Sequence, residues 1–165
     1  MRNRRNFLKA GLLSSVIFLA SQDKLFGATT TLHTLSIMQK DLLYDAKNMP
    51  SYNEINPNKY LTLIFNHSRI DDDEKKYLRD GAKWLNEEAV EMYKKTYVSL
   101  DANKRQRVLI SFSSHEWGES YIHKVLSYMM ESMLGDPIYG GNKNGSGWAF
   151  LNHVGGSPSP KEPYL

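Results

Sequence analysis

The sequence predicts a mainly α protein: a small helical domain of about four to five helices, followed by a glycine-rich loop and an extended C-terminal tail. Three observations carry this expectation. Apolar residues recur at three- and four-residue spacing in several stretches between Thr34 and Leu134. Residues suited to starting and stopping helices stand at the edges of those stretches. The segment Asp136–Trp148, Asp-Pro-Ile-Tyr-Gly-Gly-Asn-Lys-Asn-Gly-Ser-Gly-Trp, places four glycines in thirteen residues. That is too many for a helix or a regular strand, and it calls for positive φ at several positions.

The first element is not part of that domain. Arg4-Arg5-Asn6-Phe7-Leu8-Lys9 is followed by an apolar run from Ala10 to Ala20, broken by Ser14 and Ser15. Arg4, Arg5, Phe7, Leu8 and Lys9 stand at the offsets of a bacterial twin-arginine (Tat) signal, whose cargo crosses the membrane already folded. The run is shorter than the roughly 20 residues that span a bilayer, so it reads as a signal core rather than a permanent membrane helix. Phe26-Gly27-Ala28 puts a bulky residue where a cleavage site wants a small one, which leaves open cleavage elsewhere or retention. Residues 1–28 are assigned to the signal and 29–165 to a single domain, because the remaining length supports one core and not two.

From Thr34 to Tyr44, Leu35, Met38, Leu42 and Leu43 mark one face of a helix. Residues 51–58 are rich in Asn, Ser and Pro and read as a surface connection, and Tyr60 to Phe65 reads as a short apolar helix, which periodicity alone does not separate from a buried strand. Asp71-Asp72-Asp73-Glu74 suits a helix N-terminus, where carboxylates accept from free N–H groups. It lacks the alternation and the bend glycine of a calcium loop. The helix it opens carries Leu78, Ala82, Leu85, Ala89 and Met92 inward and is expected to reach about Tyr97. Asp101 is placed to cap the next helix, with Val108, Leu109 and Phe112 inside and Lys104, Arg105 and Arg107 in water. The last long helix is expected from about Trp117 to Leu134, with Ile122, Val125, Leu126, Met129 and Met133 on one stripe. Gly135 is expected to end it in the left-handed conformation and Pro137 to prevent its restart.

Composition excludes several chemistries. The net charge is +3, and part of it lies in the first nine residues, so nucleic acid is not indicated. There is no cysteine, which removes disulfides, thiolate nucleophiles, cysteine-held iron–sulfur clusters and c-type haem attachment. His115-Glu116-Trp117-Gly118-Glu119 starts like a zinc-protease helix but has Glu119 where the motif needs His. His115, Glu119 and His123 nevertheless follow at four-residue intervals, and a stand-alone periplasmic metal-binding protein or enzyme using that face is the alternative to the reading below. A polar edge beside the apolar stripe accounts for the same three residues without a ligand. Gly140 and Gly145 have the spacing of phosphate-loop glycines, but Ser146 and Gly147 stand where Lys and Ser/Thr are required. Nothing in the chain nominates catalytic, cofactor-binding or metal residues of its own.

Asp136-Pro137, Tyr139-Gly140-Gly141-Asn142 and Gly147-Trp148, with Arg79-Asp80-Gly81 and Trp84-Leu85-Asn86 upstream, resemble the signature of the small (gamma) subunit of membrane-bound gluconate 2-dehydrogenase and its relatives for other sugars and sugar acids. The resemblance implies a non-catalytic subunit of an oxidoreductase complex. A large subunit would carry FAD and oxidise the substrate, and a cytochrome c subunit with haem c can pass electrons on. The small subunit would engage the Tat translocase and take the signal-less flavoprotein to the periplasm, at the outer face of the inner membrane. The partner interface is expected at Asp136, Pro137, Tyr139, Gly140, Gly141, Asn142, Gly147 and Trp148, with Tyr139 and Trp148 as the large aromatic contacts. The competing expectation is that these aromatics fold back onto the domain's own helices.

Overall fold

The structure is a computed structural model that describes residues 28–43 and 48–163. Among them the architecture is helical, with no strand. The order is α1 (Ala28–Leu42), α2 (Tyr52–Ile55), α3 (Pro57–Asn66), α4 (Asp72–Tyr93), a 3-10 turn at Tyr97–Ser99, α5 (Ala102–Ser113) and α6 (Glu116–Leu134). Two further 3-10 turns, Pro137–Tyr139 and Lys143–Gly145, lead into α7 (Ser146–Phe150).

The ends of the long helices follow from their sequence. Asp71 Oδ1 accepts from Asp73 N at 2.9 Å, and Asp101 Oδ1 accepts from Lys104 N at 2.9 Å, each satisfying an N–H that the helix leaves free. α4 stops at Tyr93, short of Tyr97, because Lys94 takes a left-handed conformation (φ 56°) while its N–H still bonds Val90 O. At the end of α6, Gly135 is extended (φ −67°, ψ 168°) rather than left-handed. The chain straightens at that glycine, and Pro137, whose ring fixes φ, then opens the next 3-10 turn.

α1, α3, α4, α5 and α6 share one core. Leu35 and Met38, Leu61 and Ile64, Leu78 and Leu85, Val108 and Phe112, and Tyr121 and Val125 are among its fully buried members. Leu126, expected on the inner stripe, is 36% exposed. It lies about 100° round the helix from Val125, past the edge of the face that Tyr121, Val125 and Tyr128 define. Met92, in the last turn of α4, is likewise on the surface.

Two features of the core depart from the sequence expectation. Ile55, in the stretch read as a surface connection, is 1% exposed and belongs to α2. Arg105, expected in water, forks around the buried Asp41 carboxylate of α1, with Nε at 2.6 Å from Oδ2 and Nη2 at 3.0 Å from Oδ1. Tyr97 OH donates to the same Oδ2 at 2.7 Å, and Gln106 Nε2 donates to Asp41 O at 2.9 Å. A buried carboxylate needs such partners, and they fasten α1 to α5 and the 3-10 turn. Burial, and then the bond to Asp41, pushes the Tyr97 phenol well above its ordinary range. The hydrogen bonds from Arg105 to Asp41 raise the guanidinium as well.

Candidate functional site

The Asp136–Trp148 segment wraps the C-terminal end of α6. Asp136 Oδ1 accepts from Ile138 N at 2.9 Å and fixes the first 3-10 turn. Positive φ then occurs at Gly140 (88°), Asn142 (44°), Asn144 (57°) and Gly145 (70°), so asparagine shares with glycine the left-handed positions it tolerates. Contrary to the expectation from its glycine content, the segment is not free of helix. Ser146 returns to right-handed helical angles, and α7 carries Trp148.

Asn142 is the centre of this arrangement and is fully buried. Its N–H donates to Ile55 O at 3.0 Å, its Nδ2 to Gly135 O at 2.8 Å, and its Oδ1 accepts from Gly147 N at 2.8 Å. Ile55 O also accepts from Ser132 Oγ at 2.9 Å, so α2, α6 and the loop meet at one carbonyl. A Cβ at Gly141 would fall 2.2 Å from Ser132 Oγ, and one at Gly147 would fall 1.9 Å from Met133 O. The close approach that these two glycines permit is therefore to α6 of the same chain.

Trp148 and Tyr139 are half-buried. Trp148 Nε1 donates to Leu134 O at 2.7 Å, using a carbonyl that the last turn of α6 leaves free. Its ring lies edge-on to His153 at 6.0 Å, and a Cβ at Gly155 would fall 2.3 Å from it. Tyr139 packs against the main core.

The outer side of the loop forms a cleft of about 410 Å³, lined by Asn53, Asn56, Lys59, Pro137, Gly140, Gly141, Lys143 and Asn144. Asn56 Nδ2 donates to Gly140 O at 3.1 Å, and the alkyl stem of Lys59 lies over Gly140. Among the described residues no carboxylate lies within ion-pair distance of Lys59 or Lys143. Glu54, across the cleft mouth, is already engaged by Ser51 Oγ and N at 2.6 and 2.8 Å. Those bonds hold its carboxyl below the ordinary range, and the charge of Lys143 adds a smaller push. The cleft thus offers two ammonium groups and amide donors to an anionic group. Asn56 and Lys59 were not singled out by sequence reasoning. The signal was Asn56-Pro57, an Asn in left-handed conformation before a proline at the first position of α3.

His115, Glu119 and His123 do not converge as three ligands. His115 precedes α6, stacks on Trp117 at 5.1 Å and faces Glu88 at 4.0 Å. Glu119 and His123 form a separate exposed pair at 3.9 Å. Arg79-Asp80-Gly81 and Trp84-Leu85-Asn86 belong to α4. Asn86 is buried there, donating to Thr34 Oγ1 at 3.2 Å and accepting from Tyr97 N at 3.0 Å. Arg4, Arg5, Phe7, Leu8 and Lys9 lie outside the described residues. Among the described residues no helix is long and apolar enough to cross a membrane.

No curated protein and no solved structure matches the chain. The family model described as gluconate 2-dehydrogenase subunit 3 matches residues 34–156, a span that takes in the core of helices, the Asn142 junction and the outer cleft. On that match the chain belongs to the gluconate 2-dehydrogenase subunit 3 family.

Proposed function

We propose that the chain is the non-catalytic small subunit of a periplasmic, FAD-dependent sugar or sugar-acid dehydrogenase, and that it escorts the flavoprotein subunit through the Tat pathway and stabilises the complex. Membership of a gluconate 2-dehydrogenase subunit family is the observation that carries this reading. The twin arginines Arg4 and Arg5, with Phe7, Leu8 and Lys9, support the export role. The division of labour is physically coherent. A Tat cargo travels folded, so a flavoprotein loaded with FAD in the cytoplasm can leave bound to a partner that carries the signal. A cytochrome c subunit would take the electrons onward.

The outer face of the Asp136–Trp148 loop is proposed as the docking surface for the flavoprotein. Pro137, Gly140 and Asn144 form its rim, and Lys59 and Lys143 supply positive charge for an acidic patch on the partner. Asn142, Gly141 and Gly147 act beneath it by holding the rim on α6.

The test is Arg4→Lys together with Arg5→Lys, which keeps the charge but removes the planar fork of the guanidinium. The chain and the flavoprotein should both remain in the cytoplasm, with dehydrogenase activity lost from the periplasmic fraction. Active flavoprotein in the periplasm of that strain would refute the escort role.

A further inference from the structure

At the opposite end of α6, about 27 Å from the loop at 1.5 Å per residue, lies a second cleft of about 470 Å³ with the reverse character. Trp84, Glu87, Glu88 and Glu91 form one face of α4, and Trp117, in the first turn of α6, closes it. Trp117 is 44% exposed. An indole so open is held rigidly all the same. His115 stacks on it at 5.1 Å and 6°, Phe112 meets it edge-on at 5.0 Å, and Trp84 meets it edge-on at 5.4 Å.

Among the described residues no lysine or arginine lies within ion-pair distance of Glu87, Glu88 or Glu91, so the cleft keeps its negative charge. Glu88 is the engaged one of the three, accepting from Ser111 Oγ at 2.5 Å and facing His115 at 4.0 Å. Glu87 and Glu91 are left to whatever enters. Three carboxylates beside two indoles select a cation with an extended flat surface rather than a compact one, and among the described residues no three ligating side chains converge as a metal ion would require.

We infer that this cleft receives an arginine side chain from the flavoprotein partner in the assembled complex, its guanidinium stacked on one of the two indoles, which stand at 74° to each other, with the other at its edge, and pairing with Glu87 and Glu91. Arginine fits better than lysine because its planar, weakly hydrated head both stacks on aromatic rings and forks onto carboxylates. The inference rests on the reading of the chain as a subunit, but its chemistry can be tested apart from it.

Two measurements do so. In the first, the 15N-labelled chain is titrated with N-acetyl-arginine amide and with the neutral citrulline counterpart. The protein has three tryptophans, and their indole N–H signals separate the cleft from the loop. Arginine amide should move the Trp84 and Trp117 signals and leave Trp148 in place, citrulline should move none, and Glu87→Gln with Glu91→Gln should weaken the response at least tenfold. No movement, or equal movement with citrulline, overturns the assignment. In the second, the tagged full chain is recovered from its native host with Glu87→Lys and Glu91→Lys. At unchanged melting temperature, the flavoprotein recovered per chain should fall at least tenfold. Full recovery with the lysine variant overturns the inference and leaves the subunit reading intact. Arginine binding to the cleft in a wild-type chain that brings no flavoprotein overturns the subunit reading and leaves the cation site standing.

Discussion

The ring of Tyr121 occupies the space that a side chain at Gly81 would need: a Cβ there would fall 1.9 Å from Tyr121 Cε2, while the phenol donates to Leu78 O at 2.8 Å. α4 and α6 are thus keyed together at a glycine in the middle of a helix, where alanine would be intrinsically better by about 1 kcal/mol. Overpacking costs about 1–3 kcal/mol and exceeds that gain when the neighbour is a fully buried ring. Gly81→Ala should therefore lower stability by up to about 2 kcal/mol, read as a lower melting temperature. Combined with Tyr121→Leu, the two losses should add to less than their sum by at least about 0.5 kcal/mol. Strict additivity in that cycle would mean the ring is not what the glycine accommodates.

Asn142 offers a second test, confined to the loop. Asn142→Ala removes the donor to Gly135 O and the acceptor for Gly147 N in a site with no exposure, and places a Cβ residue without local hydrogen bonds at φ 44°. Leaving buried backbone groups unpaired costs about 1–3 kcal/mol each. Hydrogen exchange at Gly145–Trp148 should accelerate far more than exchange in α4. Equal acceleration in both would show that the junction is part of one global unfolding unit and not a separate fastening.

The helices were legible in the sequence because their signals are local. The 3.6-residue recurrence at Leu78, Leu85 and Ala89 and the caps Asp71 and Asp101 each depend on neighbours a few positions away. The expected left-handed stop at Gly135 failed because Asn142, seven residues on, takes the Gly135 carbonyl and the chain leaves the helix extended. Arg105 was misplaced for the same kind of reason. Its partner Asp41 is 64 positions away on α1, and no spacing rule links them. The outer cleft was half legible: its glycines stood out, whereas Asn56 and Lys59 reach it only through α2 and α3.

Alkaline pH should unfold the protein cooperatively. Burial raises the phenols of Tyr97 and Tyr121 above their ordinary value of 10.0, and it raises Tyr60 and Tyr128, which also donate to Glu131 and Glu74. A folded-state value above the unfolded one favours the neutral phenol in the fold. The contribution is complete below about pH 10 and is lost as pH rises toward the folded values. Phenolate absorbance at 295 nm should lag behind that of free tyrosine above pH 10 and then rise together with loss of helical circular dichroism. Ionisation of all ten tyrosines near pH 10 with helicity intact would contradict the burial assigned to these four.

The loop's inner and outer faces should separate in a pair of assays. Trp148 is committed to the fold through its 2.7 Å bond to Leu134 O and its contacts with His153 and Gly155. Trp148→Ala loses that bond and most of a half-buried indole, so it should lower stability by about 2–3 kcal/mol. Tyr139→Ala, which removes packing against the core, should act in the same direction. Lys59→Glu with Lys143→Glu changes only exposed groups at the cleft and should shift stability by less than about 0.5 kcal/mol. On the docking proposed for this cleft, reversing both charges replaces attraction to an acidic partner surface with repulsion, so flavoprotein capture should fall at least about tenfold for the lysine pair, and capture by the parent should weaken strongly with salt. The folded fraction of the Trp148 variant should still capture its partner. If Trp148→Ala instead abolishes capture at unchanged melting temperature while the lysine pair captures normally, the aromatic side of the loop is the interface and the charged cleft is not.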